Sequence, residues 1–318
     1  MNRLFRDVEG APLCPNGSVV CIGAFDGLHP GHRALVGRAV ARARELGVEA
    51  VVLSFEPLPR EFFAITGKPA RLSPPRMKVE GLFALGADRI GLLRFDAALA
   101  RTGAREFVER VLVQRLAARE VWVGPGFRFG KGREGDVSLL GELGATMGFQ
   151  TRVIEPCLVG GERASSSRIR ALLGEGDLAT AARWLGRPYA IAGRVVRGRQ
   201  LGRKLGFPTA NLRFAGLTPA LGGVFATRVR GAGFDAWPSV SSLGTRPTVD
   251  GVEPLLEAHL FDFDGDLYGK RIEVEFVAKL RDEARFQNLD ALIAQMDRDA
   301  EQARAILGAP QQRRGAMA

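Results

Sequence analysis

Two of the three histidines in the 318-residue chain lie in one ten-residue segment, Gly23–His32, which reads GAFDGLHPGH. A turn from a strand into a helix exposes free backbone N–H groups at the positive end of the helix dipole, and this favours phosphate binding. His29 and His32 add two side-chain donors at the same place, and Gly31 lets a ligand approach the backbone closely. The segment therefore predicts a phosphate site, rather than two unrelated surface histidines or a metal site. Further candidate residues of this phosphate site are Gly23, Phe25 and Asp26.

A serine-rich segment, Ser165–Arg170, is a second candidate for phosphate binding. Ser167 and Arg170 are three residues apart, so they share a face if a helix starts here. A hydroxyl and a guanidinium on one face could hold phosphate oxygens together. The alternative is a plain serine cap beside a solvated arginine, and the upstream histidine segment decides in favour of phosphate.

The most cation-rich loop lies at residues 193–212, GRVVRGRQLGRKLGFPTANL. Glycines interleaved with cations predict a phosphate-receptive loop. This composition by itself also suits RNA. The candidate phosphate contacts in the loop are Gly198, Gly202, Arg203 and Lys204.

Together, the motifs of the first half resemble the adenylyltransferase half of bacterial bifunctional riboflavin kinase/FAD synthetases. The resemblance implies that a phosphate oxygen of FMN attacks the α-phosphorus of ATP, with His29 and His32 against the ATP phosphates. Phe55–Phe62 is similar to a family loop near the flavin, and Val123–Gly130 to a further family segment, VGxNFxFG. The flavin contacts implied in this half are Phe55, Pro57, Phe62 and Phe127.

The second half resembles riboflavin kinases, because Pro208–Asn211 matches their PTAN motif within twenty residues in family order. Thr209 and Asn211 supply a hydroxyl and an amide oxygen, hard ligands suited to Mg²⁺ on nucleotide phosphates. The resemblance makes Glu257 the general base that accepts the proton of the ribityl 5′-hydroxyl. A structural hydrogen bond is expected for His259, and flavin contacts are implied for Arg281 and Phe286.

One position departs from the family pattern: Gly126 stands where the family has Asn or Asp. Glycine offers neither the donor nor the acceptor of an asparagine side chain. Either water or a neighbour such as Arg128 replaces the lost contact, or the adenylyltransferase is weak and the chain is chiefly a kinase.

The apolar pattern of residues 18–155 alternates strands with helices, which predicts a parallel sheet built from right-handed crossovers. The expected strands are Ser18–Gly23, Val48–Phe55, Arg89–Leu93 and Glu120–Val123, and the expected helices are Arg33–Leu46, Pro75–Leu85 and Ala104–Leu116. By family analogy this domain, 1–185, is a Rossmann-like FMN adenylyltransferase domain.

After about residue 186 the pattern changes to short β-like runs, which predict a small antiparallel barrel or sandwich. The family analogy specifies a six-stranded antiparallel barrel. The residue pattern itself predicts one amphipathic helix, about Leu289–Leu307, with Asn288 as its cap. The riboflavin kinase domain is expected at 186–318. The expected strands are Tyr189–Val196, Val224–Val229, Pro238–Leu243, Leu256–Phe261 and Ile272–Leu280.

The net charge of +10 is spread along the chain, with 26 Lys and Arg against 20 Asp and Glu in residues 1–185 and 19 against 15 in 186–318. Diffuse positive charge suits polyphosphate substrates as well as nucleic acid. The sequence lacks a signal core, an apolar run of about 18 residues and a CxxC pair, so a cytoplasmic protein with three reduced cysteines is expected.

The sequence therefore predicts an ATP-dependent enzyme that converts riboflavin to FMN and FMN to FAD with Mg²⁺. Its expected partners are riboflavin, FMN and ATP, without nucleic acid, membrane or an obligate protein partner. Rival interpretations are a nucleotidyltransferase with another acceptor, a nucleic-acid-binding protein, and a kinase whose first domain has lost activity. Recognition signatures of nucleic-acid-binding folds are missing from the sequence.

Overall fold

The computed structural model describes residues 3–67, 69–198, 202, 205–248 and 251–308, with backbone alone at 246–248 and 251–252. The chain forms two compact units. The first comprises Met1–Pro69 and Pro75–Ser166, and the second Ala70–Pro74 and Ser167–Ala318. Within the described part of the chain, no helix is both long and apolar enough to cross a membrane.

The first unit is built on a six-stranded parallel sheet, which confirms the fold expected from the alternating pattern. Its strands are β1 Leu4–Phe5, β2 Ser18–Ile22, β3 Glu49–Glu56, β4 Arg89–Arg94, β5 Ala118–Val123 and β6 Gln150–Val153. Its helices are α1 Pro30–Leu46, α2 Pro59–Phe62, α3 Pro75–Ala84, α4 Ala97–Arg101, α5 Ala104–Phe107 and α6 Val137–Met147. The helix expected over 104–116 does form, but it continues beyond α5 as π-helical turns over Val108–Arg115.

The order of the strands, β1-β4-β3-β2-β5-β6, creates a switch point beside β2. From β2 the chain proceeds to β3 and β4 on one side of the sheet, and later to β5 and β6 on the other. The crevice outside the carboxyl ends of strands at such a point is the usual ligand site of open α/β sheets. Gly23–His32 follows β2 and Gly124–Phe127 follows β5, so both predicted motifs leave the sheet there.

A short antiparallel hairpin completes the first unit, with strands β7 Leu158–Val159 and β8 Glu162–Arg163. The sequence analysis did not predict this hairpin, because two-residue strands carry too little periodicity to be recognised. Next come α7, Ser166–Glu175, which starts at the division between the units, and α8, Leu178–Leu185.

The second unit contains a six-stranded antiparallel sheet in the order β10-β13-β12-β11-β14-β9. Its strands are β9 Ala190–Arg194, β10 Ala210–Arg213, β11 Gly223–Gly231, β12 Phe234–Thr248, β13 Gly251–Leu260 and β14 Arg271–Arg281. A backbone hydrogen bond of 2.9 Å from Val196 N to Asn211 O links the two edges. The sheet is thereby a nearly closed barrel, as expected.

The terminal helix α9 spans Leu289–Leu307, the range predicted from its apolar stripe. The Asn288 side chain caps it by accepting a hydrogen bond of 2.8 Å from Ala291 N. Ala303 and Leu307 are buried against Val224 and Val240 of the barrel. The predicted domain boundary at 185/186 stays a prediction; in the structure, α7 after its first residue and the whole of α8 are grouped with the barrel, and α8 packs on β14.

Candidate functional site

The predicted histidine pair lies at the start of α1. His29 is the residue before the helix and is 6% exposed, and Pro30 is the first helical residue. The His29 and His32 rings stack with centroids 3.7 Å apart, and the Phe25 ring meets His32 edge-on. The Gly31 N–H has no hydrogen-bond partner among the described residues. Two imidazoles and a free helix N-terminus at a sheet switch point form a site suited to phosphate.

Two glycines of this segment are needed for close packing. A Cβ on Gly23 would lie 3.0 Å from the buried Phe25 ring, and one on Gly31 would lie 3.2 Å from the His29 ring. Larger residues at either position would push the rings away, so the motif needs glycine at both positions to keep its aromatic pair in place.

Asp26 is paired with an arginine in the structure, and its contact with phosphate stays a prediction. Its carboxylate is 1% exposed and accepts a hydrogen bond of 2.8 Å from Arg60 Nη2. The Asp26 carbonyl accepts a second one, of 2.9 Å, from Ser166 Oγ. A carboxylate that is already paired with a guanidinium positions neighbouring segments, and here it joins the histidine loop to α2 and to the residue that begins α7.

The predicted flavin loop ends in a cluster of aromatic rings. Phe55 and Phe62 each meet Phe95 edge-on, with centroids 5.8 and 5.4 Å apart. Phe63 meets the same ring at 5.8 Å and is 59% exposed. Pro57 lies between β3 and α2, within this loop. The sequence analysis missed Phe63 and Phe95, because Phe95 joins the cluster only through the pairing of β3 with β4.

A buried lysine holds the loop that follows β3 through hydrogen bonds. Lys78 on α3 is 1% exposed, and its Nζ donates to Ser54 Oγ and to the Phe55 carbonyl, each at 3.1 Å. The Glu56 carboxylate lies 3.8 Å away. Lys78 thus positions the end of β3 and the loop that begins there.

The segment after β5 contains Gly126, the position at which the chain differs from the family pattern, and its neighbours. Phe127 stacks on Phe129 with centroids 5.4 Å apart and packs against the core. Arg128, suggested above as a replacement for the lost side chain, places Nη1 3.4 Å from Asp136 Oδ2. Its guanidinium therefore faces α6.

Ser167 and Arg170 lie on α7, as their spacing predicted, and their contact with phosphate remains a prediction.

The second candidate site is a cavity of about 910 Å³ in the barrel. The structure brings seven predicted residues to it: Gly198, Gly202, Thr209, Asn211, Glu257, Arg281 and Phe286. Arg203 and Lys204 lie outside the described residues. A second cavity, of about 700 Å³, shares Arg197, Thr209 and Asn211 with the first. Thr209 and Asn211 therefore border both cavities.

Strand register explains why the catalytic candidates meet. Asn211 of β10 is opposite Glu257 of β13, and Glu257 is opposite Ser242 of β12. Residues directly opposite on antiparallel strands have Cβ atoms about 4.5–5.5 Å apart. The candidate base thus has the candidate metal ligand on one side and a hydroxyl, which sequence reasoning missed, on the other.

The Asn211 amide is held so that its oxygen remains available. Nδ2 donates to the Thr209 carbonyl at 3.2 Å. The buried Oδ1 has no hydrogen-bond partner among the described residues. A Cβ on Gly198 would lie 2.9 Å from this amide, so glycine at that position lets the loop pack against it. An unsatisfied buried acceptor next to a hydroxyl residue fits a hard cation.

His259 supports the PTAN segment, as the sequence predicted. Its Nδ1 lies 2.9 Å from the Pro208 carbonyl, and its ring meets Phe207 edge-on. Burial lowers the pKa of His259, and the nearby Arg304 charge lowers it further. The imidazole is therefore favoured in its neutral form, with Nδ1–H donating to Pro208.

Arg281 and Phe286 border the cavity from β14 and the segment after it. The Arg281 guanidinium is held by the buried carboxylate of Asp299 on α9, with N···O distances of 2.7 and 3.0 Å. This pairing supports a positioning role for Arg281, and its contact with the flavin stays a prediction. The ion pair ties the end of β14 to the helix that packs on the barrel.

Comparison with known proteins assigns a family to each half of the chain. The family model of FAD synthetases matches residues 12–168, and that of riboflavin kinases matches residues 185–307. Bifunctional riboflavin kinase/FMN adenylyltransferases from Escherichia coli K12 and Pseudomonas fluorescens are 42% and 43% identical to this chain, covering 96% of it and 98% and 97% of their own lengths.

A solved structure described as a macrolide-efflux protein from Streptococcus pneumoniae has a similar fold. It is 28% identical with a TM-score of 0.77, and the match covers 95% of this chain and 98% of that one. On the sequence relatives and both family models, the chain belongs to the family of bifunctional riboflavin kinases/FMN adenylyltransferases.

Proposed function

We propose that the chain carries out the two activities of its family at two separate sites, riboflavin phosphorylation in the barrel and FMN adenylylation at the edge of the parallel sheet. The observation that carries the kinase assignment is the cross-strand pair of Asn211 and Glu257 beside two adjoining cavities. A candidate base opposite a candidate metal ligand, beside cavities large enough for substrates, supports this assignment.

In the kinase, riboflavin occupies the larger cavity and ATP the smaller one. Glu257 accepts the proton of the ribityl 5′-hydroxyl as that oxygen bonds to the γ-phosphorus of ATP, and the bond from that phosphorus to the bridging oxygen breaks so that ADP leaves. Thr209 and Asn211 would hold Mg²⁺, which when bound neutralises charge on the nucleotide phosphates. His259 holds the Pro208 carbonyl and thereby orients the segment that carries both ligands.

In the adenylyltransferase, a phosphate oxygen of FMN forms a bond to the α-phosphorus of ATP, and the bond from that phosphorus to the pyrophosphate oxygen breaks. Such a transfer needs no covalent enzyme intermediate. The protein positions both substrates and stabilises the developing charge. His29, His32 and the N-terminus of α1 serve this role. Ser167 and Arg170 are proposed as further phosphate contacts from their spacing in the sequence alone. The aromatic cluster around Phe62 and Phe95 offers ring faces and edges to the flavin.

The experiment that tests this proposal is a time course of riboflavin with Mg-ATP, followed by chromatography of the flavins. We expect FMN to appear first and FAD to follow. If FMN accumulates and no FAD forms, only the kinase assignment holds. If riboflavin is not converted at all, both assignments are wrong. The same proposal includes a cytoplasmic location, which the three free cysteines support.

A further inference from the structure

One buried lysine on α3 contacts both loops that leave neighbouring strands of the parallel sheet. Lys78 Nζ donates to the carbonyl oxygen of Ala24, in the histidine segment that follows β2, at 3.5 Å. It also donates to Ser54 Oγ and to the Phe55 carbonyl at the end of β3, each at 3.1 Å. The ammonium group therefore joins the segment that carries the histidine pair to the loop that carries the aromatic cluster.

Ser54 makes the same connection from the strand. Its side chain is fully buried, and its Oγ donates to the Ala24 carbonyl at 3.1 Å. A hydroxyl can accept one hydrogen bond while it donates another. Ser54 therefore accepts from Lys78 and donates to Ala24, so that the lysine and the serine hold the same carbonyl oxygen together.

The helix that carries the lysine packs tightly on the histidine segment. A Cβ on Gly81 of α3 would lie 2.4 Å from Leu28 Cδ1, so glycine at this position lets the helix approach the segment. Leu28 and Phe25 of the segment share a core cluster with Leu82 of the helix. The Phe25 ring in turn meets the His32 ring edge-on, with centroids 5.3 Å apart. The position of α3 is thereby passed on to the histidine pair.

Burial of a charged group at this place is not explained by the filling of space. The Glu56 carboxylate lies 3.8 Å from Lys78 Nζ and compensates part of the cost of removing the ammonium group from water. An apolar side chain of similar length would avoid that cost, but it would offer no donor to the carbonyl oxygens of Ala24 and Phe55. What the lysine supplies is a fixed connection between the two loops.

We propose that Lys78 is a positioning residue of the adenylyltransferase, which sets the distance between the segment for the ATP phosphates and the loop for the flavin. This inference rests on the proposed adenylyltransferase function. The transfer requires a phosphate oxygen of FMN to be aligned with the α-phosphorus of ATP, and a misplacement of about 1 Å can lower such a rate about a hundredfold. Lys78 acts through the two loops and keeps its proton throughout.

The test uses the full chain with Lys78→Met, which nearly keeps the length of the side chain but removes its donors. We expect kcat for FMN-to-FAD conversion to fall by about tenfold to a hundredfold. The KM values for FMN and for ATP in this reaction should each change by less than about threefold, because each loop still binds its own substrate. Lys78→Gln retains N–H donors and should recover part of the loss. Riboflavin phosphorylation should not change.

Arg76→Met is the matched control, because it removes a cation from the same helix. The Arg76 guanidinium lies 2.8 Å from the Glu80 carboxylate, and both side chains are exposed. Exposed ion pairs of this kind contribute little, so kcat for FAD formation should stay within about twofold of wild type. If Lys78→Met also stays within this range, the proposal is overturned. A higher KM for one substrate with unchanged kcat, or an equal loss of both activities, would overturn it as well.

Ser54→Ala tests the connection without removing the lysine, and it decides the question if Lys78→Met does not fold. We expect kcat for FAD formation to fall by about threefold to tenfold, as for one lost neutral hydrogen bond. In the Lys78→Met background the same change should cost less, because both side chains hold the Ala24 carbonyl. An unchanged kcat for Ser54→Ala, or an equal cost in both backgrounds, would refute the shared role. Wild-type chain that makes no FAD would refute the proposed function itself.

Discussion

At the scale of single residues, Glu257 is the clearest test of the kinase mechanism. Glu257→Gln keeps the shape of the side chain but removes its capacity to accept a proton. We expect riboflavin phosphorylation to slow by about 10²-fold or more, with ATP binding nearly intact. FMN-to-FAD conversion should not change. Steady-state rates of both reactions check this, with Glu273→Gln on strand β14 of the same barrel as a control. An equal loss of both activities would refute the assignment.

The stacked histidines test the adenylyltransferase mechanism. If His29 and His32 contact phosphates more strongly in the transition state than in the bound substrate, His32→Ala should lower turnover more than it weakens ATP binding. The measurements are kcat for FAD formation and the affinity for ATP. FAD synthesis that is unchanged in the double alanine variant would show that the ring stack is structural only.

At the scale of elements, His259 couples the stability of the PTAN segment to pH. Burial keeps its pKa below the ordinary value of about 6.5, so the unfolded chain binds the proton more readily than the folded one. Stability from this residue is fully present above about pH 6.5 and is lost as the pH falls from there towards the lower folded pKa.

We therefore expect the Tm of wild-type chain to fall more between pH 7.5 and 5.5 than the Tm of His259→Asn, which retains a donor near the position of Nδ1. Thermal unfolding at several pH values checks this. His29 and His32 are unchanged in both proteins, so the difference isolates His259. If the Tm of both proteins falls equally as the pH is lowered, protonation of His259 does not affect stability.

At the scale of the whole molecule, the two activities should separate with the two units. The motif sets lie on either side of about residue 186, so fragment 186–318 is expected to make FMN but no FAD. Fragment 167–318 should be more stable, because it retains α8 with its buried Leu178, Trp184 and Leu185, and this helix packs on β14. Flavin chromatography and thermal unfolding of both fragments check this. A folded 186–318 fragment that makes FAD would refute the domain assignment.

The features of this protein that depend on local chemistry could be predicted from the amino-acid sequence. Residues 289–307 show one apolar stripe behind Asn288, so the terminal helix and its cap follow from neighbouring residues alone. The motifs around His32, Asn211 and Glu257 were likewise readable, because each needs particular residue types at a short spacing.

Tertiary structure decided which distant residues meet. Asn211 and Glu257 are adjacent because of the register of β10 and β13, and Phe95 joins Phe55 through the pairing of β3 and β4. Lys78 reaches the ends of β2 and β3 only because α3 packs beside them. Side-chain periodicity records which face a residue occupies within its own element, but strand order and register depend on packing between elements, which no local pattern contains.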